Sequence, residues 1–468
     1  ARPLGPSAAG AHAAMNVLGA VAKGLGDVLG SGIEAGDAQV DALLERVATG
    51  FLPEDRIEAL AQLKDLASDS AKAKAAVGVA GYPVVREVVG ETWEHDVEAV
   101  RGAVELVLAS LKSPGASSVF ATAEQSQALG EAAAANAASF AADPANAALL
   151  LDLLGDPNAN PSSAVADFYV RLGALQCLSL LAREQPNCVR DCVLGSTSGV
   201  SRLADVLGEG EVVRNEAILL LAALAGASPE IGKMCAFEGT IERAFAIMSE
   251  EGDCRGGVVV QDCLELLANL VRGNSSNQLL FRESGGLAKL RSVCLPEEAR
   301  AGEPIWQAEQ EQRNAYLAMH VLLLTVARPS CSDQDAPLMQ ASLAGGLDLF
   351  TPWLRLCLSH PVLVPSPQVR SQGLRFLGAM VAGCPENKSK LEQAMVIGRE
   401  GQHVPALHAL LLAATRATHA PEQEAAARAL GLYCESNPDG QAALASTVFL
   451  DARAGELGAS SFGSDLIG

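Results

Sequence analysis

One helical phrase, returning at intervals in the forties, constrains this chain more than any other feature. It reads Arg171-LGALQCLSLL, then Arg214-NEAILLLAAL, then Gln261-DCLELLANLV, with starts 43 and 47 residues apart, and later Arg370-SQGLRFLGAMV. Weaker copies begin at Arg56 and Arg101, 45 residues apart, and others are expected near Asn314 and Glu424. Counted from each start, the third, seventh and tenth following positions are mostly apolar or small. The seventh is Leu63, Leu108, Leu178, Leu221, Ala268 and Leu377; the tenth is Leu66, Leu111, Leu181, Leu224, Val271 and Met380. That spacing lays one apolar stripe along each helix. Helical units of this period bury their stripes only by stacking on one another. The expected fold is therefore all-α, an armadillo/HEAT-like right-handed superhelical solenoid of helical repeats.

Composition agrees. Hydrophobic residues make up 49% of the 468 and aromatics only 4%, so the core is aliphatic, rich in the strong helix formers Ala and Leu. The formal net charge is −21. Polyanions bind proteins largely by neutralising phosphates with Lys and Arg, and no Lys/Arg run offsets this acidity, so nucleic acid is not expected as a partner. An anionic membrane surface repels the same charge, which makes membrane contact indirect. No run of 18 apolar residues exists to span a bilayer. The 11 cysteines include no CxxC pair, and Cys177, Cys263 and Cys357 lie inside apolar helical phrases. They read as reduced thiols of a cytosolic protein.

Along the chain, residues 1–36 are Gly/Ala-rich and expected to be disordered. Within them, 1–14 read as flanking sequence ahead of a natural start at Met15. The stretch from Met15 to Leu29 could graze a membrane, but its glycines disfavour a stable helix. The repeat region is expected over 37–450, and Pro53-Glu54-Asp55 marks a helix start. Residues 113–145 stretch one repeat step to 70 residues and read as a low-complexity inserted loop with a loose Ala-rich helix. Residues 296–312 and 359–368 read as longer loops. The end, 451–468, is Gly/Ser-rich and expected to be flexible, without the polar cap that closes a solenoid, so the array is expected to continue past it.

Little in the sequence carries chemistry. Cys188 and Cys192 stand four apart and could share a helical face, yet no Cys/His cluster supplies the two further ligands that zinc needs. Gly252–Gly257 (GDCRGG) looks like a phosphate-cradling loop but lacks the Gly-Lys-Ser/Thr ending and a preceding strand. No GxSxG elbow exists for a serine nucleophile. No catalytic residue, cofactor site or metal site is assigned. The Arg at each phrase start (Arg56, Arg101, Arg171, Arg214, Arg370) could line a groove for acidic peptides, or could join neighbouring repeats by bonding carbonyls and carboxylates; the second reading is the stronger. Peptide-binding armadillo proteins present a ladder of Asn, and here Asn269 is matched by Ser179, Ala222 and Gly378.

The block from Gly199 to Ser284 is more specific than its period. It contains GVSRL, EVVRNEAILLL, AFE followed by IERAF, SEEG, GGVVVQDCLELLANLV and NSSNQ, and it closely resembles the globular head of the general vesicular transport factor family. Weaker similarity extends over about 15–450. The resemblance implies an armadillo-like head that homodimerises in the full protein and docks transport vesicles to Golgi membranes. It further implies a Rab-type GTPase, golgins, SNARE proteins and tethering-complex proteins as partners, with a cytoplasmic location, peripheral on Golgi membrane and vesicles. The heptad tail of that family does not occur in this sequence, and the family has no catalytic residues to carry over. Candidate protein-binding residues are Arg202, Glu211, Arg214, Asn215, Glu250 and Glu251, expected to be exposed. The competing readings are a generic armadillo-repeat adaptor for peptides or signalling proteins, and an enzyme built on helical repeats.

Overall fold

The computed structural model describes residues 37–50, 52–114, 122–156, 158, 160–294, 309–326, 354, 357–358, 366–398 and 401–456. The expected N-terminal disorder over 1–36 lies outside them. The region read as one head divides into two units, Ala1–Glu238 and Gly239–Gly468.

The first unit carries α1 (Ala38–Thr49), α2 (Pro53–Asp69), α3 (Ala71–Thr92), α4 (Val97–Leu111), α5 (Ala123–Ala141), α6 (Pro144–Asp152), α7 (Phe168–Glu184), α8 (Pro186–Gly195), α9 (Gly199–Asp205), α10 (Glu211–Ala227) and α11 (Pro229–Phe237). The helices that bear the phrase, α2, α4, α7 and α10, each pack on the next. Their stripes form the core: Ala59, Leu63, Val104, Leu111, Ala174, Leu178, Leu181, Ala217, Leu221 and Leu224 are all buried. Leu66 and Leu108, in the weaker copies, are only half-buried. Helix starts follow local chemistry. Pro53, Pro144, Pro186 and Pro229 each open a helix, where the missing N–H costs nothing, and Asp96 and Asp167 cap α4 and α7 by accepting from Ala99 N and Val170 N.

The second unit carries α12 (Thr240–Glu250), α13 (Val258–Val271), α14 (Ser275–Glu283), α15 (Gly286–Cys294), α16 (Glu309–Val326), α17 (Pro367–Val381), α18 (Pro385–Gln393), β1 (Met395–Ile397), β2 (His403–Pro405), α19 (Ala406–Arg416), α20 (Ala420–Cys434) and α21 (Pro438–Glu456). Here α13, α16, α17 and α20 stack in succession, so the copies expected near Asn314 and Glu424 are helices of the series. Gly285 supplies the left-handed turn (φ 75°) between α14 and α15. The strands pair antiparallel, Val396 opposite Val404, with both side chains buried. Each unit is thus a stack of helices, the all-α, armadillo-like arrangement that the repeat demands.

Three boundaries differ from expectation. Residues 309–312, read as loop, open α16, Pro367 and Gln368, also read as loop, open α17, and α21 runs through 451–456 of the end read as flexible; 457–468 lie outside the described residues. The larger correction concerns 113–145. Its helix α5 is not loose: a capping box of Thr122 and Gln125 starts it, and it packs along α3. Asn136, 2% exposed, donates to Lys74 O (2.8 Å) and Ser110 O (3.1 Å), while Tyr82 stands edge-on to Phe140 with centroids 4.8 Å apart. Composition hides this because a helix that packs through Ala and one buried Asn looks like low complexity.

The contact is close enough to test. A Cβ at Gly78 of α3 would fall 1.8 Å from Asn136 Oδ1. If α5 were loosely attached, Gly78→Ala would stabilise the helix by up to about 1 kcal/mol. Against a packed α5, overpacking outweighs propensity, and we expect a loss of about 1–3 kcal/mol in chemical denaturation.

Candidate protein-binding surface

The phrase-start arginines do not line a groove. They join repeats. Arg101 on α4 donates to Asp167 Oδ2 (2.8 Å), the carboxylate that also caps α7. Arg171 on α7, 3% exposed, forks onto Glu209, two residues ahead of α10, with Nε to Oε2 at 3.0 Å. Its Nη1 donates to Gly155 O (2.8 Å) and Val165 O (2.9 Å). Arg370 on α17 forks onto Glu422 in the first turn of α20, at 2.8 and 2.7 Å. Each places an acid at a helix N-terminus, where the macrodipole also favours it. Arg56 reaches back instead, to Val47 O at the end of α1 (3.1 Å).

Lysines and amides serve the opposite helix ends. Buried Lys74 on α3 donates to Ala109 O and Lys112 O at the end of α4, and burial pulls its pKa down to about 8. Lys388 on α18 does the same for Glu435 O after α20. Asn277, Asn387 and Gln441 each donate to a carbonyl seven residues back, Leu270, Met380 and Cys434, all at 2.8 Å. The C-terminal carbonyls that a helix leaves unbonded are satisfied in this way.

The six candidate residues meet different surroundings. Glu211 is exposed at the first position of α10, and Asn215 is half-buried beside it. Arg214, expected at the surface, is 6% exposed, and its Nε donates to Asn215 Oδ1 (3.2 Å). Its position in the phrase explains this: it is the counterpart of Arg171 and Arg370, which are also buried. Arg202, half-buried, turns to α6 and pairs with Asp152, lining a cavity of about 350 Å³ with Trp93, Glu94 and Asp156. Glu250 is exposed and Glu251 half-buried; both belong to the second unit.

Sequence reasoning missed the exposed apolar residues. In the first unit, Phe168 and Tyr169 (43% and 58% exposed) open α7, Val212 (55%) opens α10, and Phe237 (88%) ends α11. Tyr169 and Val212 both stand two residues before a phrase-start Arg, so they sit at equivalent places. Arg101 lies 4.8 Å over the Tyr169 ring, and Phe168 meets that ring edge-on. A signal existed: in a chain of 4% aromatics, adjacent Phe and Tyr at a helix start are off the apolar stripe.

Burial pushes the Cys235 and Cys357 thiols up to about 12 and those of Cys192 and Cys254 to about 11, away from the nucleophilic thiolate. Among the described residues no group of three or more His, Cys, Asp or Glu is gathered as for a metal. The GDCRGG loop is tied to α16 by Asn314, whose Nδ2 donates to Gly256 O (2.9 Å) and Cys254 O (3.3 Å). Among the described residues no helix is long and apolar enough to cross a membrane.

No protein-family model matches the chain. Individual proteins do. It is 33% identical over 416 residues to golgin candidate 6 of Arabidopsis thaliana, covering 88% of this chain and 43% of that protein. It is 28% identical over 416 residues to general vesicular transport factor p115 of Homo sapiens, covering 87% and 40%. It is 37% identical over 163 residues to the intracellular protein transport protein USO1 of Saccharomyces cerevisiae, covering 35% and 9%. The chain thus spans about two fifths of the length of the first two relatives. A crystal structure of Uso1-1 superposes with a TM-score of 0.73 at 23% identity, over 86% of this chain and 63% of that one, which establishes the shared fold.

Two outcomes test the geometry. Arg171→Ala strands a carboxylate and two carbonyls and should cost about 3–5 kcal/mol, whereas Arg202→Ala, at a half-exposed pair, should cost less than about 1 kcal/mol in the same denaturation series. On α13, burial and Glu265 lift Asp262 to about 6, against about 3.9 when unfolded. The folded state then holds the proton more tightly, so the stability this group contributes is full below about pH 4 and lost as pH rises through about 6. Asp262→Asn should raise the thermal midpoint at pH 7.5 and leave it unchanged at pH 4.

Proposed function

We propose that this chain, a relative of the general vesicular transport factors, forms part of a vesicle-tethering head of the early secretory pathway, with the repeat region 37–450 as that head. The observation that carries the reading is the 416-residue similarity to proteins named as vesicular transport factor and golgin candidate. That similarity favours a tether over a generic armadillo adaptor.

The structure supports a scaffold role. Stacked helices joined by buried ion pairs hold surface residues in fixed relation, so the protein acts by presenting contacts and assigns no step to chemistry. The partners proposed are a Rab-type GTPase, golgins, SNARE proteins and tethering-complex proteins, with homodimerisation of the head. The proposed location is cytoplasmic, peripheral on Golgi membrane and transport vesicles, with membrane contact made through those partners. Of the candidate residues, Glu211 and Asn215 join Phe168, Tyr169 and Val212 on the surface proposed for the first unit. Arg202 belongs with the Trp93 cavity, and Glu250 and Glu251 offer acidic contacts on the second unit.

The reading is tested by capture on the immobilised chain of purified early-secretory Rab GTPases, golgins and tethering-complex proteins. We expect at least one to bind, and Tyr169→Ala with Val212→Asp to weaken that binding about tenfold, as loss of an aromatic anchor does. Failure of every such protein to bind, together with no Golgi enrichment of the fluorescently tagged chain in cells, would overturn it.

A further inference from the structure

We propose that the apolar groove across α16, α17 and α20 of the second unit is a docking site for an acidic amphipathic helix of a partner protein. The groove measures about 370 Å³, within the size range of ligand sites. Leu323, Leu374, Ala425 and Leu432 line it together with two cations, Arg375 and Arg428. These arginines differ from those that join the long helices. Arg101, Arg171 and Arg370 are each held by carboxylates. Among the described residues Arg375 makes one hydrogen bond, to Gln372 Oε1 of its own helix at 3.5 Å, and Arg428 makes no hydrogen bond or ion pair. Both are exposed. In a chain of net charge −21, two cations beside one apolar groove, neither ion-paired among the described residues, form a site complementary to negative charge.

The occupant's backbone follows from Gly378. This is the position where a peptide-binding armadillo repeat would carry an Asn to hold an extended main chain. A Cβ there would already lie 3.3 Å from Leu432 Cδ1 and 3.4 Å from Ala429 Cα, so α20 leaves no space for an amide. An extended peptide would enter with its N–H and C=O groups unmet, at a cost for every buried one. A helix satisfies its own backbone and needs only side-chain contact. The groove wall from Arg375 to Ala382 spans about two helical turns, room for apolar residues at i, i+4 and i+7 with Glu or Asp on the flanks meeting Arg375 and Arg428. The inference stands apart from the tether reading, since it concerns what this groove recognises whatever the chain serves.

The test is fluorescence polarisation with the whole chain and two labelled helical peptides. One carries Leu at i, i+4 and i+7 with Glu flanks; its twin carries Lys flanks. The wild-type chain should bind the Glu peptide and not the Lys twin. Arg375→Glu with Arg428→Glu should weaken the Glu peptide about tenfold, the worth of roughly 1.4 kcal/mol, and gain the Lys twin, with the circular dichroism spectrum unchanged. Arg375→Gln with Arg428→Gln should weaken the first peptide by a smaller factor without gaining the second, which keeps the test decisive if charge reversal disturbs folding. No binding of the Glu peptide, equal binding of the twins or of a single-stranded oligonucleotide, or full binding by both double variants would overturn the proposal.

Discussion

Everything here depends on a joint between neighbours: a guanidinium at the start of one long helix gripping a carboxylate at the start of the next. Arg101 with Asp167, Arg171 with Glu209 and Arg370 with Glu422 repeat this joint. Burying an arginine is expensive unless its donors are met, and Arg171 meets that condition with a fork onto Glu209 and two carbonyls. Hydrophobic stripes alone would let helices slide, because apolar contact has no direction. The fork fixes where one helix begins relative to the next, and the lysine and amide bonds at the other ends fix where they finish.

How much could be read beforehand follows from the same logic. Helices α7, α10, α13 and α17 were legible because stripe and period coincide, and Arg171 and Arg370 were legible as joints because Arg recurs at one place in the phrase. Arg214 shows where that reasoning was not pressed far enough: its place in the phrase already argued for burial, yet its polarity suggested surface. Helix α5 was illegible for a different reason. Its packing rests on Asn136 fitting against Gly78, a pairing across 58 residues that no local pattern encodes. The groove cations Arg375 and Arg428 are likewise a property of neighbouring helices brought together, to which composition and spacing are blind, whereas Tyr169 and Val212 share a place in the phrase that could have marked them.

For a scaffold, this division of labour matters. Charges inside the joints are spent on geometry and are unavailable to partners, which is why the recurrent arginines make poor candidates for recognition despite being the most conspicuous polar residues in the sequence. What remains for recognition is what the joints leave over: aromatic and aliphatic side chains at helix starts, and cations that no neighbouring acid has claimed.

The joint also makes the array divisible. Because Arg101 and Arg171 both seek an acid at the start of the following long helix, the end of one of these repeats matches the beginning of the other. Removing or duplicating such a repeat whole leaves its guanidinium with a mate, while gaining or losing part of one strands a charge. Within a unit, such a stack can therefore grow or shrink only in whole steps, each set by the ion pair that joins one long helix to the next.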